Sequence, residues 1–184
     1  PGSKKRFLAF FLGLGVVSTL LLTTVGTGEW LKCLLIFVLA RVGFAGANLF
    51  YDAFLVDVTD DSRVNRISSA GYAWGYIGSV VPFLMVMVLI FLGMANEATG
   101  SIPMMSAKRG FVVVAFWWLL FSIPLLRNVR QRYYVEPGAH PVRDSFRRLI
   151  TTFREIRKFR SVFLFLVAYF FYIDGVNTII TMAT

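Results

Sequence analysis

The chain has 184 residues, of which 57% are hydrophobic and only 16% charged, with a mean hydropathy of +0.69. A soluble domain carries roughly 45–50% apolar and about 25% charged residues, so the composition excludes an ordinary water-soluble globule. The formal charge of +9 lies between apolar runs rather than in one patch, which argues against a nucleic-acid partner, and a single Cys (Cys33) and a single His (His140) exclude a disulfide framework and a Cys/His metal site.

Five apolar segments follow in chain order. The first is roughly Phe7–Val25, closed by Gly26-Thr27-Gly28, and it contains no Asp, Glu, Lys or Arg. No small-residue cleavage site follows it, so it is not a signal peptide. The second is roughly Trp30–Leu55, with charges inside it; the third, roughly Ser68–Leu92, has none. The fourth is roughly Gly110–Leu126, and the fifth begins near Ser161 and runs to Thr184. A hydrocarbon layer of about 30 Å needs about 20 apolar residues in a helix rising ~1.5 Å per residue. Barrel strands would be shorter and strictly alternating. The fold class is therefore an all-α integral membrane protein of about five transmembrane helices.

Loop charge sets the orientation. Fifteen of the nineteen Lys and Arg residues fall at the N-terminal end, in the Asp57–Arg66 connection and in the Arg127–Arg160 stretch. Only Lys32, Lys108 and Arg109 lie on the opposite connections, and Arg41 lies within a span. The first group is expected on the cytoplasmic side, with the Gly26–Glu29 turn and the Met94–Ala107 loop outside. The Arg127–Arg160 stretch reads as a domain boundary. After Pro137-Gly138 it has Pro141 at a helix-start position, then Val142, Phe146, Leu149, Ile150, Phe153 and Ile156 on one helical face with arginines on the other. Such a helix lies either on a membrane surface or against the cytoplasmic ends of the bundle.

Charges inside a bilayer are costly, so their placement is the main guide to function. At ~100° per residue Arg41, Ala45, Asn48 and Asp52 share one stripe of the second span, with roughly 16 Å along the axis between Arg41 and Asp52. In the fifth span Asp174, Thr178 and Thr181 form a similar stripe, with Asn177 beside it and Gly175 offering a place to bend. The reading is that Arg41, Asn48, Asp52, Asp174 and Asn177 line a solute or ion pathway; the competing one makes Arg41 and Asp174 a structural pair. The charge-free first and fourth spans are free to face lipid. Gly71, Gly75, Gly78 and Pro82 form a stripe on the third span that suits close helix packing, with a kink expected at Pro82. No phosphate loop, HExxH string or nucleophile beside a base is present, so no catalytic residue, cofactor or metal is expected.

Several strings resemble a known family. Gly2-Ser3-Lys4-Lys5-Arg6 before an apolar helix is similar to the end of the cytoplasmic loop signature of major facilitator transporters. Arg41 with Gly43 and Gly46 resembles that superfamily's fourth-helix Arg/Gly motif, although Ala45 stands where a glycine is usual. More specific are Phe50-Tyr51-Asp52-Ala53-Phe54-Leu55-Val56-Asp57, Gly71-Tyr72-Ala73-Trp74-Gly75-Tyr76-Ile77-Gly78-Ser79 and Tyr169–Ile180 with its Tyr172-Ile173-Asp174-Gly175-Val176-Asn177-Thr178 core. These resemble the vacuolar-effluxer-like branch, named for a fungal vacuolar amino-acid exporter. The resemblance implies a partial major facilitator fold covering helices three to seven of twelve. Residues 1–127 would belong to the N-terminal six-helix half, 128–160 would form the basic linker, and 161–184 would open the C-terminal half.

It places the two polar spans at helices four and seven, which line the central cavity in that superfamily. It implies a secondary transporter of a small solute, amino acids among the candidates, coupled to a proton or ion. The membrane would be the cell membrane in a prokaryote or the vacuolar membrane in a fungus. Pro1-Gly2-Ser3 lacks a Met and Thr184 falls inside an apolar run, so the sequence is read as a piece whose partners are lipid and the missing helices. A membrane-embedded lipid-modifying enzyme would need His, Asp or Glu converging near one interface, and a non-transporting scaffold would need no water-accessible Asp174.

Overall fold

A computed structural model describes residues 3–60, 62–97, 103–133 and 141–182. They form helices α1 (Lys4–Leu21, extended by a 3-10 turn Leu22–Thr24), α2 (Trp30–Ala53), α3 (Leu55–Val58), α4 (Val64–Glu97), α5 (Met104–Asn128), α6 (Pro141–Lys158) and α7 (Arg160–Met182). Among the described residues four stretches are long and apolar enough to cross a membrane: Lys4–Thr24, Trp30–Val58, Val64–Ala95 and Met104–Asn128. Counting the bent pair α6–α7 as one span makes five. The protein is a multi-pass, all-helical membrane protein.

The chain divides into two compact units, Pro1–Tyr134 and Val135–Thr184. In the first, α1 packs against both α2 and α5, and α4 packs against α5. Buried Leu8, Leu12 and Val16 of α1 meet Ala47 and Phe54 on one side and Ala115 of α5 on the other. The expectation that a charge-free α1 faces lipid thus holds for part of its surface only, because an interior position against two helices excludes charge as strictly as hydrocarbon does. Phe7, Phe10 and Val17 remain exposed on its outer side.

The α1–α2 crossing is close because glycines face each other. A methyl built on Gly43 would run into the backbone of Gly15 and would sit 2.9 Å from the Phe11 carbonyl oxygen. The Phe11 ring covers Gly46, the Trp118 ring of α5 covers Gly15, and Phe50 stacks between Phe7 and Phe11 at centroid distances of 5.3 and 5.9 Å. At the other end of the unit, Ser106 and Pro103 lie against Gly93, and Val86 lies 3.1 Å from a Cβ built on Gly110, so α4 and α5 meet near their shared turn. Helix α4 runs unbroken through Pro82.

The turn between α1 and α2 uses Gly28 at φ 87°, a conformation that glycine adopts without steric cost. The Gly26 N–H donates to Glu29 Oε2 at 2.7 Å and Lys32 Nζ lies 3.1 Å from the same oxygen. Those two partners, the backbone bond first, hold the Glu29 carboxyl below the usual carboxylate range. The expected Met94–Ala107 loop is shorter than the charge pattern suggested, since α4 extends to Glu97 and α5 starts at Met104.

In the second unit α6 and α7 are separated by a sharp bend at Phe159, with 112° between the two helix directions. Helix α6 starts at Pro141, where the proline suited a first helical position. Pro137-Gly138 and His140 lie outside the described residues. Helix α7 runs continuously through Gly175, so the glycine produces no break there.

Candidate functional site

Helix α2 has two opposed faces. Gly43, Ala47 and Phe50 point to α1, and Gly43 and Ala47 are buried. Arg41, Ala45, Asn48 and Asp52 fall on the opposite side of the wheel, about half a turn away, and all four are exposed. The sequence-derived stripe is thus intact and faces away from the helix that anchors α2. The Arg41 guanidinium lies 5.9 Å from the centre of the Phe44 ring. Neither Arg41 nor Asp52 makes an ion pair among the described residues.

Asp52 also borders a cleft of about 870 Å³ lined by residues of α2, α3, α4 and the end of α5. Tyr51, Ser68, Gly71, Tyr72 and Ser79 contribute to its wall. Gly75 and Gly78 have nothing within 4 Å of a built Cβ, and Gly71 has only the Tyr51 hydroxyl at 3.7 Å. This glycine face is therefore open among the described residues of the first unit, whereas glycine meets glycine between α1 and α2.

In the second unit Asp174 is exposed on α7. Asn177 follows three positions later on the same helix, and its side chain lies outside the described atoms. Arg41 belongs to the first unit and Asp174 to the second.

Sequence reasoning missed a polar cluster built around Asp57. This residue looked like the first member of a solvated loop, yet it is 2% exposed at the end of α3. Its Oδ2 accepts from Lys4 Nζ at 2.8 Å. Its Oδ1 accepts from the backbone N–H groups of Arg132 and Tyr133 at 2.8 and 2.9 Å. Lys4 Nζ also donates to the Ala53 carbonyl at 3.0 Å, and the Lys4 N–H donates to Gln131 Oε1 at 3.2 Å. One carboxylate thereby joins the start of α1, the end of α3 and the stretch following α5. The available signal was an acid immediately after one span and a Lys immediately before another, both on the same membrane side.

Membrane-crossing helices, a polar stripe turned away from the packed core and a charged clasp at one membrane face define a polytopic helical membrane protein. The chain belongs to the family described as vacuole effluxer Atg22 like, whose model matches residues 2–184. It is 48% identical over 183 residues to a protein of Bacillus subtilis (strain 168) named "Uncharacterized MFS-type transporter YxiO", covering 100% of this chain and 42% of the relative. It is 30% identical over 143 residues to "Autophagy-related protein 22" of Yarrowia lipolytica, covering 65% of this chain and 23% of that protein. With "Autophagy-related protein 22-1" of Aspergillus fumigatus it shares 26% identity over 136 residues, 67% of this chain and 21% of the relative. The chain thus spans less than half the length of these relatives. No solved structure is significantly similar to it.

Proposed function

We propose that the protein of which this chain forms part is a secondary transporter that moves a small solute across a membrane by alternating access. The observation that carries the reading is the Arg41, Asn48, Asp52 stripe, exposed on the face of α2 opposite its contact with α1. Polar and ionisable side chains on a membrane helix line an aqueous path or pair with a partner, because lipid exposure is costly. The names of the family and of the Bacillus relative support the same class. Amino acids are the proposed solute, on the strength of the family resemblance alone. Arg41 would attract an anionic group, and Asp174 with Asn177 would bind a cation or carry the coupling proton. The open Gly71, Gly75 and Gly78 face of α4 would seat a helix of the longer protein, where small residues allow close approach.

The test uses the full-length protein in proteoliposomes, with a mixture of radiolabelled amino acids and an imposed proton gradient. Asp174→Asn should abolish gradient-driven accumulation and leave expression and monodispersity unchanged. If each single neutralisation, Arg41→Gln or Asp174→Asn, instead lowers stability and the double variant regains both folding and transport, the two residues form a structural lock and the coupling role is wrong.

A further inference from the structure

The bend between α6 and α7 sets α6 apart from the other helices. Taking α7 as the fifth span, the 112° change of direction puts α6 about 20° past the perpendicular, folded back toward the side on which α7 lies. Membrane helices tilt by about 20° on average, so α6 runs close to the bilayer plane for its 18 residues, roughly 27 Å.

The face that α6 turns toward the bilayer is fixed by a contact. Phe153 meets Phe163 of α7 edge to face at 6.1 Å, so the side of α6 carrying Phe153 lies on the inside of the bend. Phe146, Leu149 and Ile150 share that side at helical spacing, and with Phe153 they are each more than half exposed. Arg143, Arg147, Arg154 and Lys158 fall together along one border of the apolar face, by the same wheel. Between Pro141 and Arg160 there are seven cations and two carboxylates.

We propose that α6 is a surface helix seated in the headgroup layer of the leaflet from which α7 starts, and that its occupant is anionic phospholipid. Apolar side chains enter the boundary between headgroups and acyl chains, while the bordering Arg and Lys stems reach along that surface to phosphate oxygens. Each such cation near an anionic surface is worth about fivefold in partitioning. The charge excess selects an anionic leaflet over a neutral one, and over the cation-rich cytoplasmic loops of the protein itself, which would repel it. The inference concerns the seating of one helix and does not depend on what the protein carries.

The experiment places nitroxide labels one at a time at Ile150, Phe153 and Thr151 in the full-length protein. Cys33 is replaced by Ser, together with any cysteine outside this chain. The samples are nanodiscs of phosphatidylcholine with or without phosphatidylglycerol, and the readout is collision with oxygen against a water-soluble nickel chelate. The labels at Ile150 and Phe153 should favour oxygen in the anionic nanodiscs and Thr151 should favour nickel. Changing Arg143, Arg147, Arg154 and Lys158 together to Gln should remove the dependence on phosphatidylglycerol. Shielding of Ile150 and Phe153 from both reagents in either lipid would mean that the face packs on protein, and nickel access equal to that of Thr151 would mean that it lies in water. Oxygen preference indifferent to lipid charge would refute the anionic occupant. Each of these three results overturns the proposal.

Discussion

Gly43→Ala is the sharpest perturbation of the helix pair that carries the polar stripe. The atoms nearest the added methyl are main chain: the backbone of Gly15 and, at 2.9 Å, the Phe11 carbonyl oxygen. Backbone atoms cannot rotate out of its way, so α1 and α2 must separate by roughly half an ångström to one ångström to restore ordinary contact. A gap of that size forfeits about a quarter to a half of the dispersion attraction of the atoms lining it, and overpacking of this kind costs about 1–3 kcal/mol. Helix propensity works the other way by up to about 1 kcal/mol, so the proper comparison is Gly13→Ala on the same pair. Gly13 has nothing within 4 Å of a built Cβ, and the propensity gain is common to both. The two variants should therefore differ by about 1–3 kcal/mol, or roughly five- to 150-fold in the folding equilibrium. Reversible unfolding by SDS titration in mixed micelles, followed by tryptophan fluorescence, measures the difference. If Gly43→Ala proves as stable as Gly13→Ala, the close crossing of α1 and α2 is wrong.

Asp57→Ala should destabilise by about 3–5 kcal/mol, because it strands Lys4 and two backbone donors in a poorly hydrated site. Asp57→Asn should cost less, since its carbonyl oxygen can keep both N–H bonds, and a thermal midpoint equal to wild type for the alanine variant would dismiss the clasp. Gly75→Leu should lower the folded yield of the full-length protein while Gly75→Ala leaves it near wild type; equal yields would show that this face of α4 looks at lipid.

The spans were legible because an apolar run of bilayer length is a dominant signal, and the observed helices contain each expected segment nearly whole. Their ends were less legible. Helix α5 starts at Met104, six residues before the expected Gly110, because Lys108 and Arg109 can stay helical near an interface while their charged heads reach water. The second span closes through a separate turn, Leu55–Val58, set off by Phe54, which no glycine or proline announced. The shared face of Arg41, Ala45, Asn48 and Asp52 is legible from 100° periodicity, since that geometry is local. Glycine spacing could not reveal the partner of α2: Gly71, Gly75 and Gly78 form the more regular stripe, yet among the described residues it is Gly15, Gly43 and Gly46 that bring α1 and α2 together. Asp57 was hidden for a related reason. Its burial depends on Lys4 and on Arg132 and Tyr133, 53 to 76 positions away, and pairing over such separations is a property of packing rather than of local pattern.

The two-faced character of α2 makes it a ruler. It is one uninterrupted helix from Trp30 to Ala53, held to α1 between Gly43 and Phe50 by backbone approach and stacked rings, so Arg41 and Asp52 keep a separation of roughly 16 Å at ~1.5 Å per residue. They ride together as marks on one rigid edge. Under the alternating access proposed above, the wall facing this edge would be the part that moves, and the graduated edge itself would stay fixed.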